Sequence, residues 1–286
     1  MKRLENSIFK GIVSFLTLFS VLILSFIIFF ILKESTVFFK EVSITNFIFG
    51  KRWNPLGPAD KLAIFPIILG TIYVSIIGII IALPIGIGNA IVLSSYTNGK
   101  VKRIIRSIVD ILAGIPSVIY GFIGLLVLVK FLEIRFEFPT GESVLAGGIV
   151  LSIMMLPFII STCEESMEKV YNEYSGYSNA LGVSKSYMIR NIVLPNSKRS
   201  ILASIVLALG RGMGETMAVM MVIGNAPIMP KLLGKCQTIP SLIALEMGMA
   251  EVGSLHYHGL YASGFVLMMI LLIINVILYI IKRKLI

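Results

Sequence analysis

An arginine and a glutamate lie near the middle of a long apolar stretch of this chain. Arg211 and Glu215 fall within the run from Ile201 to Ile223, and Thr216 follows the glutamate directly. A run of this length can span a bilayer core, which takes about 20 residues. A charged side chain at bilayer depth costs roughly 3 kcal/mol on insertion scales. We therefore expect both charges to face the interior of a helix bundle or a water-filled path rather than lipid.

Helical geometry predicts that the two charges share one face, because they are four residues apart. Gly210, Gly212 and Gly214 remove side chains from the same turns, so a neighbouring helix or a solute can approach closely. The pair either lines a path or is a buried structural ion pair. An arginine that precedes its glutamate has the weaker orientation on a helix, and buried pairs stabilise poorly, so the path-lining role is favoured.

The composition is that of a membrane protein. The chain has 286 residues, of which 57% are hydrophobic and 14% are charged, whereas soluble domains carry about 25% charged residues. The apolar runs are continuous, unlike the alternating strands of a membrane β-barrel. The sequence therefore predicts an all-α integral membrane protein with six transmembrane helices, at about 12–32, 62–93, 107–129, 144–161, 201–224 and 260–281.

The basic residues predict the orientation. Six spans place both termini on one side, and that side holds fifteen of the 25 lysines and arginines, against nine on the other side. The side richer in Lys and Arg is cytoplasmic, so both termini are expected in the cytoplasm of a bacterial or archaeal cell. The net charge of +10 is thus assigned to orientation in the membrane rather than to nucleic acid, and membrane lipid is expected as a partner. We divide the chain into residues 1–61, a first helix with an outer segment, and a core of 62–286.

Several smaller features complete the expectations. Gly114 and Pro116 predict a local break in the third span. Asp110 is expected to pair with Arg106 rather than to relay protons. His256 and His258 are expected to be solvated or packed rather than to hold a metal, and neither a metal nor a cofactor is predicted. The two cysteines are Cys163 and Cys236, and the predicted topology puts them on opposite sides of the membrane.

The inner segment of about 164–198 is too structured for a linker. It is expected to hold a helix that ends near Gly182, a sharp turn, and a second helix capped by Ser184. Pro195 then marks the start of the fifth span. Such a compact knob, with Tyr174, Tyr177 and Tyr187 as aromatic anchors, either docks into a groove on a partner or lies on lipid as an amphipathic hairpin.

The spacing within this segment resembles the EAA loop of ABC-importer permeases. Gly182, then nine residues, Ile192, one residue and Leu194-Pro195 match its consensus, although Gly176, Tyr177 and Ser178 replace Glu-Ala-Ala. Further stretches resemble the permeases of the phosphate-specific (Pst) transporter, and the ending Gly-Glu-Thr-Met-Ala-Val from Gly214 is similar to the C-type permeases. These stretches are Leu112 to Gly121, Ile153 to Pro157, Gly210 to Val219 with Gly224-Asn225, and Trp53-x-Pro55 with Gly70-Thr71.

The resemblance implies a type I ABC importer permease with a MetI-like fold. It implies a sibling A-type permease, two ATPase subunits and an extracytoplasmic phosphate-binding protein as partners. The knob would contact the ATPase through Tyr177, Ala180, Leu181, Gly182, Ile192, Leu194 and Pro195. Arg211, Glu215 and Thr216 would line the phosphate path, with the guanidinium offering paired donors to the anion.

The chain is not expected to be an enzyme, since its sequence contains no Gly-x4-Gly-Lys-Ser/Thr stretch to cradle ATP phosphates. Two other functions are open: a permease for another oxyanion such as sulfate or molybdate, and a secondary transporter that works alone. The last would need internal inverted repeats, and none is found.

Overall fold

The computed structural model describes residues 2–58, 61–137 and 140–284, without the side chains of 2–8, 282 and 284. The described part is nearly all helical, with one isolated antiparallel bridge between Trp53 and Leu62. We number the helices in chain order: α1 Lys2–Glu41, α2 Ile44–Phe49, α3 Phe65–Ile91, α4 Gly99–Gly114, α5 Ser117–Ile123, α6 Lys130–Phe136, α7 Val144–Ala180, α8 Lys185–Met188, α9 Leu194–Asn196, α10 Lys198–Gly214, α11 Met217–Met220, α12 Ile239–Glu246 and α13 Leu255–Lys284. Three π-helical turns continue these helices, at Val92–Tyr96, Gly124–Val129 and Ile189–Val193.

Among the residues that the structure describes, five helical stretches are long and apolar enough to cross a membrane, and a bent pair of helices adds a sixth if it forms one span. The five are Phe9–Glu41, Phe65–Tyr96, Ser117–Phe136, Val144–Ala180 and Leu255–Ile281. The bent pair joins Lys185–Asn196 to Lys198–Gly214 at an angle of 61°. The all-α membrane architecture is therefore confirmed, with up to six crossings among the described residues.

The boundaries of two predicted spans are wrong. The third was placed at 107–129, but an amphipathic helix ends at Gly114 and the apolar span begins only at Ser117, after an extended Ile115. The fifth was placed at 201–224, but α10 ends at Gly214. A proline and a run of glycines interrupt the backbone where hydropathy alone reads a continuous apolar stretch.

The centre of the molecule is the parallel packing of α3 against α7. Small residues let the two backbones approach: a Cβ on Gly148 would lie 2.4 Å from Cγ2 of Ile77, and one on Gly86 would lie 2.6 Å from Cγ2 of Ile159. Helices in membranes associate through such small-residue contacts, because lipid supplies little hydrophobic drive. The same core takes in α10 and α11 through buried Ala208, Ala218 and Val219.

A second core lies on the predicted outer side, where α1, α2, α12 and α13 meet around Phe38 and Phe47. Its edge is polar. Glu246 Oε2 accepts from Trp53 Nε1 at 2.9 Å and lies 2.8 Å from His256 Nε2. His258 Nδ1 lies 2.9 Å from a carboxylate oxygen of Glu34. The two histidines thus tie α13 to α12 and α1, in keeping with the packing role expected for them.

Candidate functional site

The helix that carries Arg211 ends three residues later, at Gly214. Glu215 has an extended backbone, with φ −70° and ψ 125°, and the short helix α11 starts at Met217. Glu215 therefore does not follow Arg211 by one helical turn, and the prediction that the two charges share a helical face is wrong. Non-helical backbone at membrane depth is tolerated where it is buried in protein or lines a water-filled cavity. The break at Glu215-Thr216 is thus a feature that a solute path can use.

Arg211 contacts an aromatic ring instead of the glutamate. Its guanidinium carbon lies 4.5 Å from the ring centroid of Phe158 on α7. No ion pair joins Arg211 to Glu215 among the described residues, so the structural ion-pair alternative loses its geometric basis. A cation over an aromatic face gains about 0.5–1 kcal/mol when exposed and more when desolvated. Arg211 is exposed on the single chain, and its N–H edge is available to a solute.

Glu215 and Thr216 form side-chain hydrogen bonds to the backbone on either side of the break. The Glu215 carboxylate accepts from the backbone N–H of Ala218 at 3.4 Å, and the Thr216 hydroxyl donates to the Gly214 carbonyl at 3.3 Å. Both side chains are half-buried. The carboxylate therefore holds the first turn of α11, a position that favours negative charge.

The three glycines of α10 differ in their surroundings. A Cβ on Gly212 would lie 2.0 Å from Met155 Cε, so this glycine lets α10 pack tightly on α7. Nothing lies within 4 Å of a Cβ placed on Gly210 or Gly214. Close approach within this chain therefore involves Gly212 alone of the three, and the faces of Gly210 and Gly214 are open.

After α11 the chain folds back as a loop of 221–238 over the first turn of α7. The N–H groups of Ser143, Val144 and Leu145 donate to the carbonyls of Val222, Gly234 and Leu232 at 2.9–3.1 Å. These are donors that the start of a helix leaves unpaired. Gly224 turns this loop with φ +78°, and a Cβ there would lie 2.6 Å from Lys235 Cδ. Lys235 in turn pairs with Glu142, two residues before α7 begins, at 2.8 Å, which fixes the loop to the start of that helix.

The predicted knob has the expected turn. Helix α7 ends at Ala180, and Gly182 adopts the left-handed conformation with φ +65°. The N–H of Val183 donates to the Ser178 carbonyl at 2.9 Å and that of Gly182 to Asn179 at 3.2 Å, which is the Schellman pattern of helix ends. Ser184 then accepts from the N–H of Tyr187 at 3.4 Å and caps α8. The turn at Gly182 and the cap at Ser184 are both confirmed.

The tip of the knob is apolar and exposed. Tyr177 is 70% exposed, Leu181 80% and Tyr187 60%, and Ala180 beside them is also exposed. Tyr174 is different: it is half-buried against the main core, so its assignment as a docking anchor is wrong. It lies two helical turns before the tip, where α7 still packs on the bundle. The exposed tip of the knob therefore consists of Tyr177, Ala180, Leu181 and Tyr187.

The second half of the knob is tied to the membrane helices. Ile192 and Leu194 are half-buried against the main core, while Pro195 is exposed. Lys185 Nζ lies 4.7 Å from the ring centroid of Tyr96, at the end of the second span, and 5.3 Å from that of Tyr171. The chain bends by 61° between this segment and α10. The second half of the knob is thus joined directly to α10 and contacts the end of the second span at Tyr96.

The break at Gly114 and Pro116 separates the amphipathic helix α4 from the third span. The expected pair of Asp110 with Arg106 is not formed, because Arg106 is directed to Glu164 on α7, at 3.8 Å. Lys102 lies 3.5 Å from the same carboxylate and 2.5 Å from Glu168. Glu164 is almost fully buried, so these two cations compensate its charge.

The comparisons with known proteins agree with this architecture. A family model described as "Binding-protein-dependent transport system inner membrane component" matches residues 82–286. The chain belongs to this family. It is 36% identical over 245 residues to a probable ABC transporter permease protein, YqgH, of Bacillus subtilis, covering 85% of this chain and 79% of that protein.

Other relatives of the permease are phosphate transport system permease proteins named PstC. The one from Mesorhizobium japonicum is 35% identical over 249 residues, covering 80% of this chain and 75% of the relative. A probable PstC of Methanocaldococcus jannaschii is 35% identical over 234 residues, covering 76% and 74%. These relatives are permease subunits of ABC transporters rather than enzymes.

A solved permease structure confirms the MetI-like fold. An inward-facing structure of the MetNI methionine ABC transporter superposes with a TM-score of 0.57 at 18% identity, covering 78% of this chain and 94% of that chain. At this identity the match concerns the fold alone.

Sequence reasoning missed two residues of the permease that the structure brings to the site. Phe158 lies far from Arg211 along the chain, and an aromatic residue next to Pro157 in an apolar span carries no signal of such a contact. Glu164 is the first charge after the apolar start of α7. Its position beyond an apolar run was a usable signal for a buried pair, although its partners on α4 could not be read from it.

Proposed function

We propose that this permease forms half of the translocation path of an ATP-driven importer of inorganic phosphate. Phosphate is inferred as the substrate because about a third of the aligned residues are identical to those of PstC proteins over most of the chain. The site is compatible with that substrate, because phosphate is an anion at neutral pH and a guanidinium offers it paired, charge-assisted donors.

The path lies between this chain and a sibling A-type permease. Arg211 is exposed on the single chain, at the level of a broken helix, as required if a second subunit completes the path. Phe158 contacts the face of the Arg211 guanidinium, and the N–H groups of the guanidinium bind the anion. Glu215 and Thr216 line the break. The nearby carboxylate keeps phosphate binding weak enough for release, which conduction requires.

The knob couples the path to ATP hydrolysis. Its exposed tip of Tyr177, Ala180, Leu181 and Tyr187 docks into a groove of one of two cytoplasmic ATPase subunits, as aromatic anchors do at interfaces. Closure of the ATPase pair moves the knobs together, and Gly182 to Pro195 passes that motion into α10. ATP hydrolysis belongs to these partners, since this chain has no phosphate-cradling glycine loop.

The chain lies in the plasma membrane of a bacterium or archaeon with both termini in the cytoplasm, as the lysine and arginine bias indicates. Residues 1–61 form an accessory helix and outer segment, and 62–286 form the transporting core. A phosphate-binding protein delivers the substrate on the outer face.

The test is phosphate uptake by cells that lack their own Pst permeases and express this chain with its A-type and ATPase partners. Arg211→Gln should assemble and lose most uptake. Arg199→Gln removes an exposed arginine at the start of the same helix and should retain it. Co-purification of the ATPase verifies assembly of each variant.

The other outcomes of this test are equally specific. Uptake by assembled Arg211→Gln at the wild-type rate would show that Arg211 is not in the path. Uptake of sulfate or molybdate instead of phosphate would replace the substrate and keep the family. Phosphate uptake that persists without the ATPase would support a transporter that works alone.

A further inference from the structure

Helix α4 has an apolar stripe that nothing in the described chain covers. The side chains of Ile104, Ile108 and Ile111 follow one another at helical spacing and are 61%, 53% and 65% exposed. The other edge of the helix is held by α7: Val109 is buried in a small cluster with Ile160. The stripe therefore faces away from the bundle.

The contacts with α7 fix the depth of this stripe. Lys102 reaches Glu168 and Glu164, Arg106 reaches Glu164, and Val109 packs near Ile160. Along α4, residues of increasing number contact residues of decreasing number on α7, so the two helices pack side by side in antiparallel directions. Helix α7 carries no charged residue from Val144 to Cys163, and Glu164-Glu165 follow directly. The length of this uncharged stretch matches the about 20 residues of a bilayer crossing. The membrane boundary thus lies near Glu164, and Ile108 and Ile111 lie on its apolar side.

Two further cations stand at that boundary with no partner in the described chain. Lys100 and Arg103 are exposed, and neither is within ion-pair distance of a described carboxylate, whereas Lys102 and Arg106 are already held by Glu164 and Glu168. Helix α4 also begins three residues after one candidate span ends, at Tyr96, and ends three residues before the next begins, at Ser117. Helix α4 therefore connects two spans at their ends on the same side of the membrane.

We propose that α4 seats an anionic phospholipid, with Lys100 and Arg103 at the headgroup and Ile104, Ile108 and Ile111 along an acyl chain. Free cations at the boundary together with an apolar stripe running into the membrane match a lipid better than a protein groove. Anionic headgroups attract each nearby basic side chain, and a guanidinium binds a phosphodiester through paired donors. With the proposed orientation this lipid belongs to the cytoplasmic leaflet.

The consequence is a link between lipid and coupling. Glu164 and Glu168 lie on the extension of α7 that ends in the knob, and α4 is fastened to that extension through Lys102. A lipid bound on the side of α4 that faces away from the bundle therefore acts on α7, the helix that leads into the turn at Gly182. This consequence rests on the proposed coupling role, but the lipid seat does not.

Fluorescence quenching by brominated lipid tests whether α4 binds an anionic phospholipid. The complex of this chain with its sibling permease and ATPase, carrying Ile108→Cys labelled with bimane, is reconstituted in nanodiscs of phosphatidylcholine. A fraction of the lipid has brominated chains and either a phosphatidylglycerol or a phosphatidylcholine headgroup. Labelling is selective within this chain, because Cys163 and Cys236 are fully buried and burial raises the pKa of the Cys236 thiol to about 12. Cysteines of the partner subunits are replaced beforehand.

Brominated phosphatidylglycerol should quench the bimane fluorescence of the Ile108→Cys variant at a severalfold lower fraction of the total lipid than brominated phosphatidylcholine does. Adding Lys100→Gln and Arg103→Gln should remove this preference, since each basic side chain near the surface enriches an anionic lipid about fivefold. Leu22→Cys in α1 is the matched control: it is exposed and far from any basic residue along the helix, so both lipids should quench it equally.

Two results would overturn the proposal. Equal quenching of Ile108→Cys by both lipids would mean an ordinary lipid-facing surface without a headgroup site. Quenching by neither would mean that the sibling permease covers the stripe. Both leaflets of the nanodisc hold the same lipid, so the outcome depends neither on the orientation of the chain nor on the transported substrate.

Discussion

The guanidinium carbon of Arg211 lies 4.5 Å from the ring centroid of Phe158, so the only basic residue of the central apolar run rests on α7 rather than on Glu215. Contact with an aromatic ring leaves the positive charge of the guanidinium without a compensating anion. A partner that holds a cation without neutralising it suits a site that must bind and release an anion.

We therefore expect Phe158→Leu to raise the KM of phosphate uptake, while the transporter still assembles. Loss of a cation–π contact corresponds to about 0.5–2 kcal/mol, or roughly a two- to thirtyfold rise in KM. Phe158→Tyr keeps the ring and should stay near wild type. Uptake kinetics of the three proteins measure this, and equal KM values for the leucine and tyrosine variants would remove Phe158 from the site.

Gly182→Ala should weaken coupling. The left-handed conformation, with φ +65°, costs a residue with a Cβ about 1–2 kcal/mol, although no atom within 4 Å obstructs that Cβ. The turn would shift and misplace Leu181, which should reduce phosphate-stimulated ATPase activity in the reconstituted transporter. Gly182→Asn should restore much of it, since asparagine tolerates this conformation.

Gly176→Ala is the control for that experiment. It lies on α7, six residues before Gly182, with open space around its Cβ and with helical backbone. Its ATPase activity should match wild type. If Gly182→Ala matches it as well, the turn geometry is not needed for coupling.

Gly212→Ala and Gly210→Ala should have opposite effects on stability, although both add one methyl group to α10. At Gly212 the Cβ would lie 2.0 Å from Met155 Cε and 3.2 Å from Leu151 Cδ2, and such overpacking costs about 1–3 kcal/mol. At Gly210 the space is open, and alanine gains up to about 1 kcal/mol of helix propensity. Thermal unfolding of the detergent-solubilised chain measures both; a stabilised Gly212→Ala would contradict the close packing of α10 on α7.

Lys102→Met should destabilise α7 around Glu164, because this carboxylate would remain buried with only Arg106 at 3.8 Å. Removing one partner of a buried pair costs about 3–5 kcal/mol, whereas replacing both by apolar residues is often neutral. The double variant Lys102→Met, Glu164→Leu should therefore unfold at a higher temperature than Lys102→Met alone. Identical unfolding temperatures for the single and double variants would mean that Glu164 does not depend on Lys102.

Local features of this permease were readable from the sequence. The apolar runs gave the membrane class and the approximate position of each span, because an uninterrupted run of sufficient length has few other uses. Gly182 marked a helix end and Ser184 a helix start, since left-handed backbone favours glycine and the first N–H groups of a helix need an acceptor. Gly114 and Pro116 marked the break before the third span for the same kind of local reason.

The tertiary structure decided which residues meet. The sequence predicts that the glycines around Arg211 allow close approach within a continuous span, and only the folded chain shows that α10 stops at Gly214. The stacking of Arg211 on Phe158, the burial of Tyr174 and the pairing of Lys102 with Glu164 join residues on different helices. A periodicity records which face of a helix is apolar, but it does not record which neighbour covers that face, because this depends on how α4, α7 and α10 pack together in three dimensions.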